Sequence, residues 1–468
     1  MPGTELFDLS TRRRIHVVGA GGVGMSAIAT VLAAMGHRVS GSDLKSSTGL
    51  EHLRALGVEV AVGHRPENLG DAEVVTLSTA VPATNPEIAA AAAAGVPVLR
   101  RAEMLAAVAA TRRSIGVGGT HGKTTTSSML ALVLVEAGMR PSFLIGGQVN
   151  DVGSGAVWDD GEWLVVEADE SDGTFLELPL EAVVVTNVEP DHLAHYGGTF
   201  DAVVDAFGRY LARAPGAKVV CADDPVAARL AAAAGAVTYG TADDAAYRMT
   251  DVASGRSSVA FTVSHGGAVL GRVALPVPGL YNARNACAAL VTGLLLGAPF
   301  TAAATALARY GGVARRFQFR GERDGVTFVD DYGHLPGEVA AVLAATRTGG
   351  WSRVVAVFQP HRYSRTVEVA ADFAGAFDDA DVVVLTDVYG AGETPRPGVT
   401  GKLVLDAVLD ARPATQAAYI TGRQELAPYL RRILRPGDLC ITLGAGDITL
   451  LADELLRPVP PAGARPSR

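Results

Sequence analysis

Hydrophobic and polar positions come in blocks along this chain. A short β-branched run gives way to a Gly- or Asp-rich turn, then to an Ala- and Leu-rich stretch with helical spacing. Residues 15–19 leading into 25–35 form the first block. Strands are predicted at 39–43 and 74–78, with helices over 51–56 and 86–94. A second series has strands at 114–117, 163–167, 182–186 and 218–222, and a third at 326–330, 354–359, 382–386 and 439–443. Apolar strands separated by helices mean parallel sheets covered on both faces. Residues 248–250, 259–264 and 271–275 are more polar and alternate, which predicts antiparallel strands at a sheet edge. Residues 151–160 (DVGSGAVWDD) read as a surface loop, and the Pro-rich segment 457–468 as a disordered tail.

Composition narrows the class. At about 150 residues per domain, 468 residues suggest three domains, with divisions expected near 107 and 318. Hydrophobic residues at 49% and charged residues at 19% exclude extensive disorder. With 49 acidic against 40 basic residues the chain is at −9, which argues against a nucleic-acid partner. Cys221, Cys287 and Cys440 fit neither a disulfide framework nor a zinc site, so a reducing, cytoplasmic setting is expected. The first residues lack a signal-peptide core. Residues 285–308 carry no charge and are long enough to span a bilayer, but Gly293, Gly297 and Pro299 interrupt them. Two buried helices, one ending near Gly297 and one starting after Pro299, fit better than a membrane segment.

The sharpest chemical signal is GVGGTHGKTTT at 116–126, between a predicted strand and a predicted helix. Glycines let backbone wrap a phosphate chain, and the helix N-terminus completes an anion site. Lys123, one of only four lysines, would reach the β- and γ-phosphates, and Thr124 could hold Mg²⁺. The strict phosphate-loop pattern has a glycine where Val117 stands, so this is a variant, with Gly116, Gly118 and Gly119 beside it. Upstream, Gly19, Gly21, Gly22 and Gly24 follow a strand, and Asp43 ends the next one. That is a dinucleotide fingerprint, in which the acid meets a ribose hydroxyl; it serves NAD or a nucleotide-sugar equally.

Acids stand at further strand ends, in EADESD at 167–172 and TNVEPDH at 186–192. The carboxyl ends of parallel strands share one edge, so these groups belong near the phosphate loop. Oxygen ligands suit Mg²⁺; an imidazole such as His192 is a less usual one. Asn282 and Asn285 begin a helix and could face an adenine edge, or one could cap the helix. Two more strand ends carry DDYGH at 330–334 and FQPHRYSR at 358–365, whose Arg362 and Arg365 suit carboxylate or phosphate.

In this order the motifs resemble the Mur ligases over nearly the whole chain: GAGGVGMSAIA, GSDLKSS, RPEN, NPEI, RRAEML, GTHGKTTT, VEADESD, TNVEPDH, YNARNA, RRF, DDYGH, FQPHRYSRT, YGAGE and GAGD. DDYGH and FQPHR are particular to the muramate-directed members. Two departures stand out: Leu335 replaces a second histidine of DDYGHHP, and Asp447 replaces the asparagine of GAGN.

The resemblance implies an α/β fold of three domains. A Rossmann-like N-terminal domain (1–107) would hold UDP-N-acetylmuramate, which settles the glycine loop against NAD. A central P-loop ATPase-type domain (108–318) would bind ATP, through Gly119, Thr120, His121, Gly122, Lys123, Thr124 and Thr125. A Rossmann-like C-terminal domain (319–456) would carry L-alanine and close over the nucleotide. Two Mg²⁺ ions are similarly implied, Thr124 and Glu167 near one and His192 near the other, with Mn²⁺ as a substitute. Asn282 and Asn285 would take the adenine side, and Arg316 and Asp331 would reach ATP at the hinge. His334, Arg362 and Arg365 would orient substrate carboxylates or the tetrahedral intermediate.

The implied activity is ATP-dependent amide ligation through an acyl phosphate in peptidoglycan precursor synthesis. The protein would act as a monomer or homodimer without membrane or nucleic-acid partners. Three alternatives remain at this point: a recycling ligase that attaches a preformed peptide, an NAD-dependent dehydrogenase, and a non-catalytic nucleotide switch.

Overall fold

The computed structural model describes residues 6–458, so the expected tail lies, from 459 onward, outside the described residues. The chain forms two compact units. The first takes residues up to 252, 260–275 and 282–311, and the second takes 253–259, 276–281 and the chain from 312.

The first unit holds two sheets. In the N-terminal one, β1 (Arg14–Val18), β2 (Arg38–Asp43), β3 (Glu59–Val62), β4 (Val74–Leu77) and β5 (Val98–Arg100) lie in the order β3-β2-β1-β4-β5, all parallel. Helices α1 (Val23–Ala34), α2 (Thr48–Ala55), α3 (Pro86–Ala93) and α4 (Arg101–Ala109) accompany it. Strand order reverses between β1 and β4, which opens a crevice beyond their carboxyl ends. The expected boundary at 107 falls within α4, where Ala106–Ala109 is buried.

The second sheet comprises β6 (Arg113–Gly118), β7 (Ser142–Val149), β8 (Ser154–Val157), β9 (Trp163–Glu167), β10 (Ala182–Val185), β11 (Lys218–Cys221), β12 (Val237–Gly240), β13 (Tyr247–Ser254), β14 (Val259–His265) and β15 (Ala268–Leu275). Its order is β15-β14-β13-β12-β11-β10-β6-β9-β7-β8, so β6, which feeds the phosphate loop, is central. Pairing is parallel from β13 through β7. The polar strands occupy the edge as expected, although β13 joins β12 in parallel. Around the sheet lie α5 (Lys123–Glu136), α6 (Phe200–Arg213), α7 (Pro225–Ala234), α8 (Leu280–Leu295) and α9 (Phe300–Ala308). The last two are the pair of helices expected on either side of Pro299, and among the described residues no helix is long and apolar enough to cross a membrane.

One expectation is overturned. Residues 151–160 are not all loop, because β8 pairs antiparallel with β7 at the opposite edge. Its Ser-Gly-Ala composition hides the strand, yet a Cβ at Gly155 would strike the Gly147 and Ile145 carbonyls. Close backbone approach selects glycine there, not turn geometry.

The second unit is built on β16 (Gln318–Arg323), β17 (Val326–Asp331), β18 (Arg353–Phe358), β19 (Val382–Thr386), β20 (Ala417–Ile420) and β21 (Asp438–Leu443), in the order β16-β17-β21-β18-β19-β20. Only β16 runs antiparallel. Alternate residues of β17 and β18 enter different cores, Val329, Ala356 and Phe358 on one face and Phe328, Val355 and Val357 on the other. Helices α10 (Pro336–Thr346), α11 (Tyr363–Val369), α12 (Lys402–Ala411), α13 (Leu426–Ile433) and α14 (Leu450–Leu456) complete it.

A buried carboxylate ties the N-terminal sheet together. Glu87 on α3 is fully enclosed and accepts from Ser42 Oγ at 2.6 Å, Asn68 Nδ2 at 2.5 Å and the Arg65 N–H at 3.2 Å. His64 Nδ1 and His16 Nε2 lie 3.1 and 3.5 Å away. Burial pushes this carboxyl up, but the bonds from His16, Ser42 and Asn68 outweigh it and hold the pKa at about 2, against 4.5 ordinarily. A depressed carboxyl stabilises the fold above its unfolded pKa, and the contribution is lost as pH falls toward the folded value. Glu87→Gln should therefore lower the melting temperature at pH 7. In thermal denaturation across pH, the deficit should stay constant above about 4.5 and shrink as pH falls toward 2.

Candidate active site

β6 ends at Gly118 and α5 begins at Lys123, so the four residues 119–122 must turn the chain into the helix. Two glycines make this possible, Gly119 at φ +132° and Gly122 at φ +82°. A Cβ on Gly119 would fall on the Thr186 hydroxyl, and one on Gly122 would stand 2.5 Å from Asn285 Oδ1. The segment after β10 props the loop. Asn187 Oδ1 accepts from the His121 N–H at 2.8 Å, its carbonyl from the Thr120 N–H at 3.1 Å, and the Glu189 N–H donates to Thr120 Oγ1 at 2.8 Å. His121 Nε2 lies 3.2 Å from Glu189. Thr125 is buried at the start of α5.

Lys123 curls over this loop. Its Nζ donates to the carbonyls of Gly119 at 2.7 Å and Thr120 at 3.2 Å, and to Glu170. Burial pulls the ammonium pKa down, and Glu170, Asp169 and Glu167 raise it past its ordinary value, so the side chain stays charged. Thr124 Oγ1 donates to Glu167 Oε1 at 3.1 Å, while Glu167 Oε2 accepts from the Gly146 N–H at 2.8 Å. A hydroxyl and a carboxylate at a helix N-terminus are the donors Mg²⁺ accepts, with phosphate and water for the rest. Among the described residues no three His, Cys, Asp or Glu side chains cluster as a metal cage. His192 has a left-handed backbone at φ +53°, and its Nε2 lies 3.2 Å from Asp191 Oδ2. Asn282 and Asn285 are buried on the first turns of α8, with Asn285 against Gly122.

The N-terminal glycine loop is equally built. The N–H groups of Gly19 and Ala20 both donate to the Ser42 carbonyl at 2.9 Å, and Gly22 precedes α1. Asp43 Oδ2 accepts from the Gly21 N–H at 2.9 Å, so this acid, expected to face a ribose, also closes the turn. Gly24 abuts Arg101, whose guanidinium lies 4.0 Å from Asp169 and 3.8 Å from Asp172. A cavity of about 270 Å³ is lined by Gly24 and Arg101 on one side and by Gly146 and Glu167 on the other. It runs from Gly24, at the end of the N-terminal glycine motif, to Glu167, the partner of Thr124.

The second unit gathers its own group. Asp331 accepts from the N–H groups of Phe317 and Gly333, both at 2.7 Å, and burial pushes it up to about 6 against the pull of Arg316. Arg316 lies over the Tyr332 ring at 5.0 Å. His334 packs edge-on against His361, their centroids 5.6 Å apart. Burial drives His334 down to about 4 and His361 to about 3, with Arg365 adding to both, so the two rings are neutral at pH 7. Arg362 opens α11 at φ +66°, a conformation costly for a residue with a Cβ, and its N–H donates to the Tyr389 carbonyl at 2.8 Å. Leu335 is buried, and Asp447 accepts from Gln359 Nε2 at 2.8 Å, so both departures serve local packing here.

Residues that sequence reasoning left unassigned include Asn187, Arg101, His361 and Glu170. All four lay inside quoted motifs, TNVEPDH, RRAEML, FQPHR and VEADESD, but only contact geometry separates a prop from a neighbour.

Three family models match the chain. The Mur ligase family, catalytic domain, covers residues 14–113, the Mur ligase middle domain covers 117–293, and the Mur ligase glutamate ligase domain covers 315–446. The UDP-N-acetylmuramate–L-alanine ligase of Solidesulfovibrio magneticus is 48% identical over 441 residues, 93% of this chain and 96% of its own. The enzyme of that name from Saccharopolyspora erythraea is 48% identical over 461 residues, 95% of this chain and 93% of its own. Among solved structures, the UDP-N-acetylmuramate-alanine ligase of Thermotoga maritima superposes with a TM-score of 0.81 at 29% identity, covering 95% of this chain and 98% of that one.

The loop geometry makes a prediction. Gly119→Ala should leave the melting temperature within a few degrees and weaken nucleotide binding at least about tenfold, because the turn must open away from Thr186 to admit the methyl. Calorimetric titration with ATP checks this.

Proposed function

The chain belongs to the Mur ligase family, and from that premise we propose that it joins L-alanine to the lactyl carboxylate of UDP-N-acetylmuramate at the expense of ATP. One observation carries the reading: a charged lysine over a glycine loop, with the Thr124–Glu167 oxygen pair at the start of the same helix. The cavity between Glu167 and Gly24 supports it, since a sugar nucleotide held at Gly19, Gly21, Gly22, Gly24 and Asp43 would direct its carboxylate toward the phosphates. The identity to relatives named for L-alanine favours the free amino acid over a preformed peptide. An NAD-dependent dehydrogenase leaves the second loop without a purpose.

The chemistry follows from charge. A carboxylate is a poor electrophile, so its oxygen first attacks the γ-phosphorus of ATP, the bond to the bridging oxygen breaks, and ADP leaves. Two anions must meet, and Lys123 together with the N–H groups of the loop lowers that repulsion. Thr124 and Glu167 would hold Mg²⁺ and His192 a second ion, with Mn²⁺ as a substitute, and such ions would add charge neutralisation at the phosphates. The amine of alanine then attacks the acyl carbon, a proton is lost, and the carbon–oxygen bond to phosphate breaks to leave the amide. Asn282 and Asn285, buried on the first turns of α8 with Asn285 beside Gly122, take the adenine side. Arg362 and Arg365 hold carboxylate charge, while neutral His334 offers a hydrogen bond without adding charge. The reading assigns the reaction to peptidoglycan precursor synthesis in the cytoplasm.

ADP release should require UDP-N-acetylmuramate, and amide should form only when L-alanine is also present. Lys123→Ala should cut ligation by about 10²–10³-fold with the fold intact; ligation at the parent rate would remove the phosphate-loop assignment.

Glu167 and His192 should separate. Glu167→Gln should weaken ATP affinity measured with Mg²⁺, because a hard charged ligand is lost. His192→Ala should leave that affinity nearly intact and slow acyl phosphate formation in single turnover. Equal loss of affinity in both variants would put His192 in the nucleotide pocket.

A further inference from the structure

Glu170 has no part in the chemistry above, yet it is among the most enclosed carboxylates of the first unit, at 2% exposure. Its Oε1 accepts a hydrogen bond from Lys123 Nζ at 2.9 Å, and its Oε2 lies 2.8 Å from the same ammonium as an ion-pair contact with no hydrogen bond of its own. The main chain beneath it is pinned: the Glu170 carbonyl accepts from the Tyr196 hydroxyl at 2.5 Å and from the Gly173 N–H at 3.0 Å. The remaining ammonium contacts go to the carbonyls of Gly119 and Thr120, on the loop itself.

These partners differ in kind. The two carbonyls are neutral acceptors on the loop that phosphates would fill, so the lysine can exchange them for phosphate oxygens. Glu170 stands off the loop, on the segment after β9, where burial pushes its carboxyl up to about 7 and the Lys123 ammonium pulls it back toward the charged form. A charge-assisted bond of this length is the stronger tether. We propose that Glu170 is a positioning residue for Lys123: its buried carboxylate fixes where the ammonium stands over the loop, and the lysine keeps that bond when it turns to the γ-phosphate. A flexible side chain with four rotatable bonds is thereby restricted before the nucleotide arrives. The cost is a negative charge near the triphosphate. Nucleotide affinity alone would be served without it, so its effect should appear in turnover.

This inference rests on the phosphate-loop reading and fails separately from it. The parent enzyme and Lys123→Ala test the reading; Glu170 variants test the tether. Glu170→Gln keeps the shape and one acceptor but removes the charge. It should lower kcat about tenfold or more while KM for ATP changes less than about threefold in either direction. Glu170→Asp keeps the charge but withdraws it by one methylene, and should lower kcat by a similar factor. In a Lys123→Ala background, Glu170→Gln should cost less than about twofold, because its effect passes through the lysine. Circular dichroism and melting temperature establish that each variant is folded, and if Glu170→Gln does not fold, Glu170→Asp carries the kcat and KM comparison alone. A folded variant with parental kcat overturns the proposal. So does a rise in KM with kcat unchanged, or a full tenfold loss in the Lys123→Ala background.

Discussion

A buried ammonium must be answered by negative charge, and at Lys123 that requirement organises the carboxyl edge of the central sheet. Burial alone would strip the proton from the lysine, so carboxylates from the segment after β9 are drawn against it. The same acids would repel a triphosphate if they stood free. They are arranged so that they do not: Glu170 is spent on the ammonium, Glu167 is held by Thr124 and Gly146, and Asp169 faces Arg101. Lys123 answers Glu170 and Arg101 stands by Asp169 and Asp172, while Glu167, met only by neutral donors, keeps its charge for a cation.

The second unit solves a related problem differently. His334 and His361 are pressed together beside two arginines, and both rings give up their protons. Positive charge there is left to guanidinium groups, which keep it at any physiological pH and match the planar shape of a carboxylate. Asp331 is shifted the opposite way by burial, so its two backbone N–H donors matter more than its charge.

Much of this was legible in the sequence because the strands that carry the chemistry are central and apolar. The runs at β6, β9, β10, β17 and β18 announce themselves, and their last residues are where the motifs begin. Several strands escaped notice: Glu59–Val62, Val98–Arg100 and Ser154–Val157 are short, half-exposed strands at sheet edges, and β7, buried only over its first half, was missed with them. Edge strands need not be apolar on both faces, so they leave little periodic signal. The site was legible as a set of residue types and opaque as a set of partners. Glu170 and Asp169 are adjacent acids in one motif, and sequence cannot say that one grips Lys123 while the other lies near Arg101. Asp43 shows the converse, a residue identified by spacing that also has a structural task, closing the turn at Gly21.

The first two sheets share one continuous apolar core, which runs from Leu9 and Ile15 through the buried face of α4 to Leu164, Val166 and Phe207. Family boundaries divide this stretch near residue 113, but the packing recognises no seam there. Excising the N-terminal sheet as a stand-alone binding module would expose α4 and strand the half of the core left behind. Recombination between relatives meets the same obstacle: a chimera joined inside this stretch must import both sides of the shared core together. One joined after residue 311 leaves that core whole.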